Sequence, residues 1–156
     1  MKTILIQVGK TVNKHFLACV SDYVERIGHY MPFEVTTILE LRNTKSLTEE
    51  QQRSAEGELV ARLLQPSDTV VLLDERGTEY RSVEFARWLQ QRQLTARRLV
   101  FVIGGPYGFS KDVYSRADYM VSLSRMTYSH QMIRLIFTEQ VYRACTIIRG
   151  EPYHHE

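Results

Sequence analysis

The chain has 156 residues, with 20 Lys and Arg against 18 Asp and Glu, so its formal net charge is +2. Its composition, 44% hydrophobic and 10% aromatic with only 8 Gly and 4 Pro, excludes a disordered, collagen-like or low-complexity protein. The length fits one domain over residues 1–156, and the nearly neutral charge excludes a protein that holds nucleic acid by bulk charge alone.

Hydrophobic periodicity predicts strands and helices that alternate along the chain. In chain order these are a strand over residues 2–8, a helix over 13–28, a strand over 33–41, a helix over 52–64, a strand over 69–73, a helix over 82–93, a strand over 99–103, a short helix from Ser110, a strand over 119–123 and a helix over 131–148. A capping box at Thr48 and Gln51 precedes the second helix. The uninterrupted apolar runs 69–73 and 99–103 are typical of strands covered on both faces. The predicted fold class is α/β, with a mostly parallel sheet and helices on both faces.

The cysteines and the apolar runs predict a soluble, cytoplasmic protein. Cys19 and Cys145 lie in separate apolar stretches, whereas a disulfide framework or a zinc site needs more ligands at closer spacing. We therefore predict two buried free thiols and no metal. No apolar run approaches the roughly 20 residues of a membrane span, and the N-terminal run is too short for a signal peptide.

Three unusual strand ends are the candidate ligand sites, because ligands of open α/β sheets bind beyond the carboxyl ends of the strands. They are Leu72-Leu73-Asp74, residues 104–108 (GGPYG) and residues 123–130 (LSRMTYSH). The glycines let the backbone approach a ligand, although a plain tight turn explains that segment equally well by itself. Residues 124–129 are either an ordinary loop or a cradle of backbone donors and acceptors beside a helix N-terminus.

Several kinds of chemistry find no support. The glycine turn matches neither G-x-G-x-x-G nor a phosphate loop. No serine lies in a nucleophile elbow, and the pair His154-His155 lacks further metal ligands. Most basic side chains are expected on solvated helix faces. A few near Arg125 and Tyr128 are candidates for phosphate contacts, with tyrosines stacking on bases.

Four segments, taken in order, resemble the SPOUT class of methyltransferases, and within it the ribosomal RNA large subunit methyltransferase H family. They are residues 102–110 (VIGGPYGFS), 122–127 (SLSRMT), Arg134 with residues 139–144 (EQVYRA), and Pro152-Tyr153-His154. The resemblance covers the whole chain. The glycine turn is shared with other SPOUT enzymes, whereas the Pro-Tyr-His ending is specific to this family.

This resemblance implies a fold and an activity that periodicity and spacing do not show. The implied fold has a trefoil knot in the C-terminal half, which ordinary topology rules disfavour. The implied activity is S-adenosylmethionine-dependent methylation of N3 of a pseudouridine in 23S rRNA. Similar proteins act as homodimers, in which the cofactor knot of one subunit meets the C-terminal tail of the other.

The resemblance also implies the residues that hold S-adenosylmethionine. Adenine needs an apolar slot and backbone hydrogen bonds, and a glycine at position 105 lets the chain close over it without a side-chain clash. Because the sulfonium already activates the methyl group, the protein mainly aligns donor and acceptor. The implied cofactor residues are Leu73, Gly105, Ser124, Arg125, Met126, Thr127, Tyr128 and Ser129.

The tail is the expected catalytic segment. The N3 proton must leave, which requires a base or a stabilised anion. We expect His154 to lie near the target base and Tyr153 to help to position it. Similar proteins often carry Arg or Lys after Pro-Tyr-His, where this chain has His155, so a fixed positive charge is missing and RNA binding is expected to depend more on pH.

Two other functions stay open at this stage. A non-catalytic ribosome- or RNA-binding module would retain the fold, although it has no need for Gly105 and an intact cofactor loop. A small-molecule α/β enzyme would bind a nucleotide at the glycine turn. Under the leading hypothesis, a nearly neutral chain of 156 residues is too small for a cofactor site and a separate RNA-binding domain. The additional RNA-binding surface is expected to come from a second subunit and from the shape of the large subunit or assembled ribosome.

Overall fold

The computed structural model describes all of residues 1–156. Its elements, in chain order, are β1 (Lys2–Val8), α1 (Lys14–Gly28), β2 (Phe33–Ile38), α2 (Glu49–Leu63), β3 (Thr69–Glu79), α3 (Ser82–Thr95), β4 (Arg98–Ile103), α4 (Lys111–Arg116), β5 (Tyr119–Ser122) and α5 (Met132–Arg149). A single 3₁₀ turn, Thr44–Ser46, lies between β2 and α2. Every predicted strand and helix is present, and only β3 differs from its predicted extent by more than a few residues.

The five strands form one sheet in the order β2-β1-β4-β3-β5, and every pair is parallel. In the centre of the sheet, Leu5 of β1 pairs with Phe101 of β4, which also pairs with Val71 of β3. All three side chains are fully buried. This confirms the prediction that uninterrupted apolar runs form strands covered on both sides.

Helices cover both faces of the sheet, as predicted. On one face, α1, α3 and α5 supply Ile27, Leu89 and Phe137, which pack in one cluster with Leu5 and Phe101. On the other face, α2 and α4 supply the smaller apolar set, which includes Val60 and Val113. The buried cluster on this face is the smaller of the two, and α2 lies close to the glycine turn that follows β4.

The helix boundaries follow from local capping chemistry. The Asn13 side chain accepts hydrogen bonds from the backbone amides of His15 and Phe16, and so starts α1. Thr48 and Gln51 form the predicted reciprocal capping box at α2. At the other end of the chain, Gly150 adopts the left-handed conformation with φ 70° and ends α5, because a residue without Cβ takes that conformation at little cost.

The strand β3 continues six residues beyond the predicted end at Leu73. Leu73 and Thr78 both pair with Val121, so residues 74–77 bulge out of the ladder before the strand resumes. The polar sequence DERG suggested a strand end because a bulge has the same composition as a turn. Gly77 makes the second pairing possible, since a Cβ there would lie 2.6 Å from the carbonyl carbon of Met120 and 2.7 Å from the amide nitrogen of Val121.

We expect Gly77→Ala to lower the free energy of unfolding by about 2 kcal/mol, because the new methyl group overlaps main-chain atoms that cannot rotate away. For a chain of this length this corresponds to a decrease in Tm of roughly 4–8 °C. Gly28→Ala is the matched control, since nothing lies within 4 Å of its missing Cβ. Thermal unfolding of both variants measures the difference. Equal melting temperatures would contradict the close approach of β3 to β5.

One sequence-based prediction is wrong. Cys145 is buried as predicted, but Cys19 is exposed. Cys19 lies on the solvent side of α1, whose buried residues are Val20 and Ile27, so the apolar stretch around it is broader than the stripe that packs on the sheet. No helix in the structure is both long and apolar enough to span a membrane.

Candidate active site

A cleft with a volume of about 620 Å³ lies at the carboxyl ends of β3, β4 and β5. Its floor is apolar and includes Leu73, Ile103, Val121 and Leu123. Its walls are three loops, namely the bulge of β3, the glycine turn after β4 and the segment after β5. Thus the three strand ends selected from the sequence enclose a single space.

Most of the predicted cofactor residues line this cleft. They are Leu73, Gly105, Ser124, Met126, Thr127, Tyr128 and Ser129. Arg125 does not line it, because its side chain is 87% exposed and forms an ion pair with Glu79 at 3.4 Å. The cleft therefore brings together every predicted cofactor residue except Arg125.

The segment 124–129 is held by its own short side chains. Ser122 Oγ donates to the carbonyl of Ser124 at 3.0 Å, and Ser124 Oγ accepts from the amide of Met126 at 2.9 Å. Ser129 Oγ accepts from the amide of Met132 at 3.1 Å and so satisfies one donor at the start of α5. Met126 is left 77% exposed at the rim. Hydrogen bonds of its own serine side chains thus hold the loop in place, while the apolar side chain of Met126 is exposed to solvent.

After this loop the chain crosses the end of the sheet and returns to β1. Gln131 accepts a hydrogen bond from the amide of Val12 at 2.9 Å and donates to the carbonyl of Lys10 at 3.2 Å. One turn later, Arg134 is fully buried and donates to the carbonyl of Val8 at 2.7 Å and to Thr11 Oγ1 at 2.9 Å. Burial lowers the pKa of this guanidinium below its ordinary value. This role of Arg134 was not predicted from the sequence, since a helical Arg is usually solvated.

A polar cluster at the bulge also borders the cleft and was not selected from the sequence as a cluster. The hydroxyl of Tyr114 donates to Asp74 Oδ2 at 2.5 Å, and the backbone amide of Arg76 donates to Asp74 Oδ1 at 2.8 Å. Burial by itself raises the pKa of Asp74, but the hydrogen bonds from Tyr114 and Arg76 outweigh it and hold that pKa below its usual value. Asp74 therefore stays ionised beside the cleft, where its carboxylate also pairs with the Arg76 guanidinium at 3.4 Å.

The glycine turn is closed by one main-chain hydrogen bond, from the amide of Gly108 to the carbonyl of Gly105 at 3.1 Å. Gly108 has a φ of 78°, which favours glycine. Gly105 has no such backbone requirement. The space that its side chain would need lies beneath the turn, where a Cβ would be 2.2 Å from Glu56 Oε2. The physical reason for a glycine at position 105 is therefore a carboxyl group of α2, and not only the approach of a ligand from the cleft.

The C-terminal tail, residues 152–156, lies away from the cleft. The hydroxyl of Tyr153 donates to Glu139 Oε1 at 3.0 Å, and His154 Nδ1 lies 3.1 Å from an Arg143 nitrogen. Burial, together with hydrogen bonds to Tyr23 and Glu139, raises the pKa of Tyr153, so its phenol stays neutral. Neither tail residue lines the cleft.

The distance between tail and cleft follows from the length of α5. Ile133 at the start of this helix lines the cleft, and Arg143 lies ten residues further, about 15 Å along the axis. Within one chain, Tyr153 and His154 are therefore separated from the cofactor residues. His155 is exposed, and its effect on RNA binding stays a prediction. No group of three or more His, Cys, Asp or Glu side chains is placed to hold a metal ion.

Comparisons with known proteins agree along the whole chain. A family profile described as "Predicted SPOUT methyltransferase" matches residues 1–154. A protein of Bacteroides fragilis named "Ribosomal RNA large subunit methyltransferase H" is 60% identical over 157 residues, which cover 100% of both chains. Proteins with the same name from Phocaeicola vulgatus and Parabacteroides distasonis are 56% and 53% identical, again over 100% of both chains.

Proposed function

Since the chain belongs to the SPOUT methyltransferase family, whose fold is knotted, we propose that it transfers a methyl group from S-adenosylmethionine to N3 of a pseudouridine in 23S rRNA. The names of its full-length relatives support the coarser part of this proposal, a methyltransferase of large-subunit ribosomal RNA. The finer part rests on the resemblance of the loops and of the Pro-Tyr-His tail. This substrate would place the protein in the cytoplasm, with the ribosomes.

The observation that carries the proposal is the convergence of the three loops on one cleft. A volume of about 620 Å³ lies within the range of roughly 300–1,000 Å³ that is usual for cofactor sites. The aliphatic floor suits an adenine ring, and the amide of Tyr107 donates no main-chain hydrogen bond, so it is available to a ligand. The residues present therefore fit S-adenosylmethionine.

The chain's own contribution is binding and alignment. Leu73 and the loop 124–129 would enclose the cofactor, and Asp74 would supply negative charge near its cationic groups. The cofactor, when bound, supplies a methyl group already activated by its sulfonium, so no metal or covalent enzyme intermediate is needed. What remains for the protein is to orient the target base, exclude water and accommodate the N3 proton.

We assign the last tasks to the tail of a second subunit. Tyr153 and His154 are about 15 Å of helix away from the cleft of their own chain, so a homodimer is required for them to meet a cofactor. In this arrangement His154 lies near the target base, and the neutral Tyr153 phenol holds the tail against Glu139. The second subunit also supplies RNA-binding surface that a nearly neutral single chain lacks.

Binding of S-adenosylmethionine and transfer of its methyl group test the proposal in two steps. Calorimetry is expected to show one cofactor site per chain, and purified ribosomes from a strain that lacks the protein are expected to gain one methyl group on 23S rRNA. Mass mapping of the modified nucleotide then identifies the base and the position. Ribosomes from the parent strain, which already carry the methyl group, are the control.

The outcomes separate the alternatives. Cofactor binding without methylation of ribosomes or of free rRNA would favour the non-catalytic module. Failure to bind S-adenosylmethionine, together with binding of another nucleotide at the glycine turn, would favour a small-molecule enzyme. Methylation of uridine and pseudouridine at equal rates would contradict the proposed specificity.

A further inference from the structure

Glu56 of α2 is a buried carboxyl group without a counter-ion. It is 5% exposed, and its Oε1 has no hydrogen-bond partner. The other buried carboxyl group, that of Asp68, forms an ion pair with Arg98. Arg53, one turn before Glu56, is directed instead to the carbonyl of Tyr107 at 3.5 Å. Burying a carboxyl group without a counter-ion is unfavourable, so its presence needs a reason other than stability.

The carboxyl group of Glu56 lies directly beneath the glycine turn. A Cβ on Gly105 would be 2.2 Å from Oε2 and 2.8 Å from Oε1. On the next residue of α2, Gly57, a Cβ would be 2.5 Å from Ser110 Oγ. The space left between α2 and the turn measures only about 10 Å³. Helix and turn are therefore in tight contact, and the Glu56 carboxyl group is the nearest group that a Cβ on Gly105 would meet.

This contact gives position 105 a steric reason for a glycine, because the Glu56 side chain that a Cβ would meet is buried and has little free space into which to move. Gly105 does not have a positive φ, so its backbone conformation is open to alanine. The steric obstacle is the Glu56 carboxyl group, and it lies on the side of the turn that faces away from the cleft. The cleft side of Gly105 is a separate surface, lined by residues that do not include Glu56.

We propose that Glu56 is a positioning residue: its buried side chain is the support on which the turn 104–108 rests, and it holds Gly105 in the wall of the cofactor cleft. The inference rests on the proposed cofactor site and adds a residue that does not touch the cofactor. Shape is the property that matters, because the carboxyl group makes no ion pair. Burial raises the pKa of Glu56, which agrees with a role that needs no charge. The neighbouring polar groups, Gln52 and Arg53 on the same helix and Glu40 after β2, form no ion pair with it.

A double-mutant cycle tests the contact, with the dissociation constant for S-adenosylmethionine measured by calorimetry. Gly105→Ala is expected to weaken binding at least about tenfold, and Glu56→Ala by about threefold. The double variant is expected to return to within about threefold of wild type, because the new methyl group occupies the space that the carboxyl group leaves. The isosteric Glu56→Gln is expected to bind like wild type.

Two controls separate positioning from general stability. Val70→Ala removes a fully buried side chain from the same face of the sheet, at the opposite end of β3, so it should lower Tm without changing the dissociation constant. Melting temperatures of the cycle give a second readout that is independent of the cofactor. If the single variant Gly105→Ala does not fold, recovery of folded protein in the double variant would show that Glu56→Ala compensates for the added methyl group.

Three results would contradict these proposals, and each would do so for a different reason. A double variant that binds no better than Gly105→Ala would show that the methyl group collides with the cofactor, and it would overturn the role of Glu56. Loss of binding in Glu56→Gln would overturn the argument from shape. A wild-type protein that does not bind S-adenosylmethionine would overturn the proposed function itself.

Discussion

Deletion of residues 152–156 is expected to reduce turnover by about 10³-fold, the range that a positioned acid–base group contributes. The dissociation constant for S-adenosylmethionine is expected to stay within about threefold of the full-length value. The reason is geometric: Tyr153 and His154 contact Glu139 and Arg143, and neither lines the cleft. Single-turnover methylation of ribosomes and calorimetry on the same preparation measure the two quantities.

Removal of Glu156 alone is the matched control. Its carboxylate forms ion pairs with Arg81 at 3.2 Å and with His154 Nε2 at 3.7 Å, and pairs of a half-exposed carboxylate contribute little. This shorter deletion should reduce turnover far less than the longer one, because Tyr153 and His154 keep their contacts with Glu139 and Arg143. If deletion of 152–156 instead destroys cofactor binding, the tail belongs to the cofactor site and not to the RNA side. If turnover survives the longer deletion, Tyr153 and His154 have no role in catalysis.

Asp68→Asn is expected to have the largest effect on stability, a loss of about 3 kcal/mol in the free energy of unfolding. The Asp68 side chain is fully buried and accepts two hydrogen bonds from Arg98, at 2.5 and 2.7 Å, and one from the amide of Gln65, at 2.7 Å. An asparagine turns a donor toward the guanidinium and leaves its charge unpaired. Denaturant unfolding at neutral pH measures the change.

The effect should disappear in acid. Burial by itself raises the pKa of Asp68, but hydrogen bonds from Arg98 and Gln65 outweigh it and hold that pKa below its ordinary value. The stabilisation is therefore fully present above the unfolded pKa of about 3.9 and is lost as pH falls through the lower folded value. The two proteins should converge in stability below that pH. Glu34→Gln, at a half-exposed ion pair with Lys2 of 2.7 Å, should cause no measurable change.

The element pattern could be predicted because each element carries its own signal. The strands at residues 69–73 and 99–103 consist mostly of apolar residues. The side chains of Asn13 and Thr48 accept hydrogen bonds from backbone amides no more than three residues later, so each of these helix starts is encoded locally. The bulge of β3 could not be predicted, because its pairing with Val121 depends on a strand that comes some 40 residues later. The exposure of Cys19 likewise depends on which side of α1 meets α5.

The residues of the site also fall into two groups, those identified from the sequence and those whose role only the structure shows. Leu73, Gly105 and the loop 124–129 were identified by resemblance, and the structure groups them around one cleft except for Arg125. Glu56, Asp74 and Arg134 act through contacts between distant parts of the chain, so their neighbours are invisible in the sequence. Arg134 shows this most clearly, since its partners Val8 and Thr11 lie more than 120 positions earlier.

Composition and the alternation of apolar runs by themselves determined the α/β fold class with a buried parallel sheet, because these properties act through local periodicity and total burial. Short-range chemistry also determined where most elements begin and end. Only the tertiary structure decided that three loops form one cleft, that the tail lies away from it, and that Gly105 rests on Glu56. These are contacts between segments far apart in the chain, and steric fit between such segments leaves no periodic or compositional trace in the sequence.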